Sequence, residues 1–128
     1  MNREQIPDEV RRFILASVPS VPFLEAMLLL RRNAAQDWDS KLLATRLYLS
    51  ERSASELLGA LHAAGVLAMA EDNAVFRYHP VPDSLRQMID LLADSYAYHL
   101  VEISSLIHSK TGKRTHQFED VFKRRKDS

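Results

Sequence analysis

His99 and Glu102 stand three residues apart, with Asp94 five residues before His99. On a helix that spacing puts an imidazole and a carboxylate on one face, the start of a divalent-metal site. Such a site needs a second pair in register. His108 has none, and His62, His79 and His116 are scattered, so the expectation is no metal. Asp90 and Asp94 lie one turn apart, as two carboxylates for acid–base chemistry would. The same pairing is commonplace on a solvated helix face. No Gly-x-Ser-x-Gly elbow, His-Glu-x-x-His helix or Gly-rich phosphate loop occurs. The expectation is therefore a non-enzyme with no cofactor. Tyr96, Tyr98 and His99 fit packing at a subunit interface better than a small-molecule crevice, because aromatic stripes usually pack.

The other polar constellation is Ser50-Glu51-Arg52-Ser53-Ala54-Ser55-Glu56. At helical spacing Ala54, Leu57, Leu58 and Leu61 face inward. Glu51, Arg52, Ser55, Glu56 and Gly59 then face out. The bland account of that outer face is simple solvation.

The elements that position these residues can be read along the chain. A first helix begins at Pro7, where a missing N–H matters least, and Asp8 and Glu9 suit its positive end. Val10, Phe13, Ile14 and Val18 form its apolar face. Ser20 caps a second helix with Pro22 in its first turn, and "FLEAMLLLRRN" is apolar almost all round, which marks a central helix. Trp38 between two aspartates plugs the core, as one rung of a small sheet. Asp39 caps a third helix over residues 40–48, with Leu42, Leu43 and Leu47 inward. Ser50 caps a fourth over 51–64, ended by Gly65. "VLAMA" and "AVFRYH", separated by "EDN", read as a β-hairpin stopped by Pro80 and Pro82. A long helix follows from about Ser84 to Lys110, with Ser84 and Gln87 at capping-box spacing. Its stripe is Leu85, Met88, Ile89, Leu92, Tyr96, Leu100, Ile103 and Ile107. Gly112 closes it, and a last short helix over about His116–Arg124 carries Phe118, Val121 and Phe122.

Bulk properties narrow the class. The chain has 128 residues, 46% of them apolar, enough for one core with an appendage. It has no cysteine, which excludes disulfides and thiol chemistry and fits a reducing cytoplasm. The start "MNREQIPDEV" has no signal-peptide core. The uncharged run "FILASVPSVPFL" is too short and too proline-broken to span a membrane. Net charge is zero but uneven. Residues 1–109 hold 10 Lys/Arg against 14 Asp/Glu, and residues 110–128 hold 7 against 3. This is not the basic footprint of a nucleic-acid-coating protein.

Leu43-Ala44, Leu47, Leu49-Ser50, Ala54, Leu58, Leu61 and Gly65-Val66-Leu67 are spaced as in a winged helix-turn-helix domain. Over residues 7–80, and with the long helix added, the chain resembles small bacterial transcriptional regulators of the MarR and PadR type. The resemblance implies a mainly α fold with a small β-hairpin wing and a long C-terminal dimerisation helix. It implies a winged domain over 1–80 and a dimerisation segment over 81–128. Tyr48 stands where such turns often carry glycine.

The resemblance further implies a homodimeric transcriptional regulator bound to double-stranded DNA, with residues 51–64 in the major groove. Ser50, Arg52, Ser53 and Ser55 would contact bases or phosphates, and Lys41, Arg46 and Arg77 the backbone. Arg52 would read guanine. The surface chemistry pulls the other way: Lys41, Arg46 and Arg52 are balanced by Asp39, Glu51 and Glu56, and the wing tip "EDN" is acidic. The alternative is a winged-helix module that binds another protein. A small-molecule effector is compatible with either, and the basic tail "KRRKD" could add phosphate contacts.

Overall fold

The computed structural model describes residues 5–70 and 75–109. The expected wing tip, Lys110, the terminal helix with Phe118, Val121 and Phe122, and the basic tail lie outside them. The described chain is mainly α-helical with one small two-stranded antiparallel sheet. Six helices occur among the described residues: α1 (Asp8–Ser17), α2 (Val21–Arg32), α3 (Ser40–Leu47), α4 (Glu51–Ala63), α5 (Asp83–Tyr98) and α6 (residues 100–109). The strands are β1 (Leu67–Met69) and β2 (Phe76–Tyr78). No single described helix is long and apolar enough to cross a membrane.

The chain divides into two compact units, Pro22–Asp94 and a second that joins the segment through Val21 to the residues from Ser95 onward. In the first, α2 is apolar on nearly every side, and Phe23, Leu24, Met27, Leu28, Leu29 and Leu30 are buried. Arg31 and Arg32 sit at its negative end. The Asn33 side chain closes that end by donating to the Leu29 carbonyl at 2.9 Å. Arg31 Nε also holds Asp90 Oδ1 at 2.9 Å.

Trp38 is fully buried and bridges β2, its N–H donating to the Phe76 carbonyl at 2.7 Å and its carbonyl accepting from the Phe76 N–H at 2.8 Å. The expected extra rung is therefore present. β1 and β2 pair Leu67 with Tyr78, Ala68 with Arg77 and Met69 with Phe76. The alternation buries Phe76 and Tyr78 and turns Arg77 outward.

Gly65 connects α4 to this sheet with φ +85°, where an added Cβ would lie 2.9 Å from the Val81 carbonyl oxygen. Only glycine combines that backbone with that approach.

In the second unit Ile6, Val10, Ile14 and Val18 are buried, as are Tyr96, His99, Ile103 and Ile107. The single long helix expected over 84–110 is instead two. α5 ends at Tyr98, residue 99 belongs to neither helix, and α6 starts at residue 100. The His99 N–H still donates to the Ser95 carbonyl at 2.8 Å, and Ile103 to His99 at 2.9 Å. No proline or glycine marks the joint. At the joint His99 takes the inward position expected of Leu100, which is left 53% exposed. The stripe runs 96, 99, 103, 107, a step that an unbroken 96, 100, 103, 107 pattern did not anticipate.

The expected Ser84–Gln87 cap also differs. α5 begins at Asp83, and Gln87 Nε2 donates to Asp83 Oδ2 at 3.0 Å. Asp83 lies inside the first turn and captures Gln87 one turn on, which leaves Ser84 out.

Candidate nucleic-acid interface

The surface that bears the expected contacts is built on α3, a tight turn and α4. α3 is capped by Asp39, whose Oδ1 accepts from the Leu42 N–H at 2.8 Å. Leu43 and Ala44 are buried on α3, and Ala54, Leu58 and Leu61 on α4. Ala44 is small enough to let the two helices approach, and Leu47 and Leu49 half-fill the wedge at the turn. Leu57, expected inward, is only half-buried.

The turn depends on one residue. Tyr48 adopts φ 58° and ψ 46°, the left-handed region. Its N–H and that of Leu49 both reach the Ala44 carbonyl, which closes α3 and reverses the chain within two residues. Glycine is the residue that region favours, so the departure noted in the sequence is a real backbone demand. The Tyr48 side chain is 95% exposed and gains almost no packing.

Ser50 then opens α4. Its Oγ accepts from the Ser53 N–H at 3.0 Å and donates to Ser53 Oγ at 3.0 Å. Two of the three hydroxyls expected to contact nucleic acid, those of Ser50 and Ser53, are thus engaged in the cap. Ser55 is exposed on the outer face. The Arg52 side chain is 91% exposed, and its Nε stands 3.7 Å from Glu56 Oε1, a loose pair that water and salt screen.

Two of the remaining cations, Arg46 and Arg77, have partners within the chain. Arg46 lies with its guanidinium carbon 5.6 Å from the centroid of the Trp38 ring. Such stacking orients the group without neutralising it. Arg77 donates from Nε to Asp37 Oδ1 at 2.9 Å, with its Nη2 2.8 Å from the same oxygen. Lys41 is exposed, with its carbonyl accepting from Thr45 Oγ1 at 3.0 Å. The structure therefore gathers Lys41, Arg46, Ser50, Arg52, Ser53 and Ser55 on the α3–α4 pair and puts Arg77 on the hairpin.

Sequence reasoning had no signal for two features here. Asp37 meets Arg77 across 40 residues, a pairing that only chain reversal creates. Trp38 was expected as a core plug, not as a platform for Arg46. Gly59, expected on the outward face, is exposed on α4, and a Cβ built there meets no atom of the described residues within 4 Å.

The buried polar groups lie behind this surface. Trp38 Nε1 and the Tyr78 hydroxyl are buried with no hydrogen-bond partner among the described residues. Burial, reinforced by the negative charge of Asp90, pushes the Tyr78 hydroxyl up to about 12.

Elsewhere, His99 Nδ1 lies 3.5 Å from Glu102 Oε2, and no three His, Asp or Glu side chains among the described residues are grouped to hold a metal. An open groove of about 330 Å3 in the second unit is lined by Ile6, Arg11, Val101, Glu102, Ser105, Leu106 and Ser109. Tyr96, Tyr98 and His99, the residues suggested for an effector crevice, do not line it.

No protein-family model, curated protein or solved structure matches this chain.

Proposed function

We propose that the chain is a winged helix-turn-helix transcriptional regulator of the kind its sequence resembles, a cytoplasmic non-enzyme that binds double-stranded DNA as a homodimer. One observation carries this. α4 is fixed by Ala54, Leu58 and Leu61 against α3 through a left-handed turn, and it leaves Glu51, Arg52, Ser55 and Glu56 outward, immediately before an antiparallel hairpin. A short helix held in that way can enter a major groove with its first residues at base edges. Arg52 is the guanine reader, Ser55 a base or phosphate contact, and Lys41 and Arg46 lie on the flanking backbone.

The homodimer rests on apolar surface along α5 and α6. Tyr98, Leu100 and Val101 are exposed, and a second copy would cover them.

A gel shift at low salt against genomic fragments tests the function, with Arg52→Ala as the comparison. A bidentate guanine contact predicts a loss of specific affinity of about 1–3 kcal/mol. A fragment shifted equally by both proteins removes Arg52 as a reader.

A second reading is favoured by the ion pairs. Arg77 and Arg52 already face carboxylates, and the Ser50 and Ser53 hydroxyls serve the helix cap. A surface neutralised from within suits a winged-helix module that binds another protein, since DNA affinity is dominated by free cations meeting phosphates. No shift at any concentration, from a protein that remains a stable dimer, would favour that reading.

A further inference from the structure

We propose that the open groove between α1 and α6 seats the chain's own C-terminal segment, residues 116–124, as a short helix antiparallel to α6 with Phe118, Val121 and Phe122 turned inward. This docking does not depend on the DNA-binding reading.

The groove lies within one compact unit, with Ile6 and Arg11 on one side and α6 on the other. Its apolar lining is unevenly covered. Ile6 is buried, Leu106 is half-buried, and Val101 is 73% exposed. Apolar side chains left open beside a groove of about 330 Å3 mark a surface that something covers. The shape narrows the choice. A small ligand is held by enclosure over most of its surface, and this groove is open. It runs along α6 from Val101 to Ser109, a form that suits a helix laying down one apolar face.

The chain supplies such a helix at the right place. Ser109 is the last described residue and itself lines the groove, so residues 110–128 leave from its end. In the sequence that follows, Phe118, Val121 and Phe122 recur at i, i+3 and i+4, the spacing of one helix face. Gly112 is the residue type at which helices stop, and residues 110–115 make a helix–helix connection of ordinary length. A reversal centred on Gly112 brings residue 118 level with 106 and residue 122 level with 102. The lengths agree as well. Val101 to Ser109 and residues 116–124 each cover about 12 Å of helix.

Charge agrees with shape. Among the described residues Arg11 pairs with no carboxylate, and Glu102 meets only His99, at 3.5 Å. In the segment Glu119 and Arg124 flank the apolar face on opposite sides, at about 3.6 residues per turn. Glu119 toward α1 answers Arg11, and Arg124 toward α6 answers Glu102. Tyr98 and Leu100 do not line the groove, so the segment takes only Val101 from the surface assigned above to a second copy.

The chain has no cysteine, so an engineered pair reports on the docking without background. Ser105→Cys with Gln117→Cys, in the full-length chain, is treated with a short bis-maleimide. The products are separated by denaturing electrophoresis and identified by mass. The expected product is a link within one chain. Adding Phe118→Asp and Phe122→Asp should slow its formation about 5-fold or more, because a segment without its anchors keeps only the effective concentration set by its tether. Arg11→Glu should slow it about 3-fold, as the loss of an exposed ion pair does, and adding Glu119→Lys should restore the rate. That rescue also shows that the Arg11 variant is folded. A link that forms equally fast with and without the two aspartates overturns the docking. A link that joins two chains overturns it too, by seating the segment on a second copy.

Discussion

Asp37 holds Arg77 through a single carboxylate oxygen, 2.9 Å from Nε and 2.8 Å from Nη2, and so ties the outward side of β2 to the connector before α3. Both side chains are more than half exposed, so the pair adds little to stability. Its consequence is for charge. While Asp37 is ionised, Arg77 is half-neutralised before it meets any phosphate. Asp37→Asn should change the unfolding free energy by less than about 1 kcal/mol. It should also steepen the dependence of log K on log salt by about one, the signature of one further phosphate contact. Titration of the variant with a bound duplex across several salt concentrations measures this. An unchanged slope would remove Arg77 from the phosphate contacts.

Ser50 satisfies the first turn of α4 through the Ser53 N–H, at 3.0 Å. Ser50→Ala leaves that donor to water and should lower stability by about 1 kcal/mol in urea unfolding. Ser50→Asp keeps an acceptor at the cap and should retain most of it. Equal losses in both variants would show that the hydroxyl's bond to Ser53 Oγ, rather than the cap, is what matters.

Gly65 is fixed by its φ of +85° and by the Val81 carbonyl oxygen that a Cβ would meet at 2.9 Å. Gly65→Ala should therefore destabilise by roughly 1–3 kcal/mol, the range for a side chain forced into a strained backbone region. The opposite sign is expected of Tyr48→Gly and Gly59→Ala. A melting series of the three positions separates a glycine that the fold requires from one that it does not.

The Tyr78 hydroxyl titrates near 12 in the folded chain against 10.0 when unfolded, with burial as the main cause. The folded state holds this proton more tightly. The resulting stability is fully present below pH 10 and is lost as pH rises from 10 through 12. Unfolding free energy should fall across that window by an amount on the order of 2 kcal/mol. Tyr78→Phe removes the unpartnered buried hydroxyl, so it should be at least as stable at neutral pH and should shed that part of the alkaline loss. A wild-type alkaline limb that the variant reproduces in full would assign the loss to other groups.

Where a residue type and its spacing carry a local rule, the chain was legible without coordinates. Asp39 and Ser50 cap the helices that they were expected to cap, because the acceptor that closes a first turn lies three residues from its donor. Gly65 was identifiable as the exit from α4, and Trp38 as a rung beside the hairpin. Period alone separated α4, with Ala54, Leu58 and Leu61 inward, from the strands that follow. Tyr48 was visible as a misfit in a turn that prefers glycine.

What only the tertiary structure decided depends on groups far apart in the chain. Whether His99 or Leu100 turned inward was fixed by what packs around the joint between α5 and α6. The partners of Arg46 and Arg77 arise where the connector at Asp37 and Trp38 meets α3 and β2. The open space over Gly59 is likewise a property of what does not surround it. A local rule acts between residues whose separation the backbone fixes, so it can be read in one dimension. Burial, pairing and clearance are set by which distant segments meet, and a single sequence does not record them.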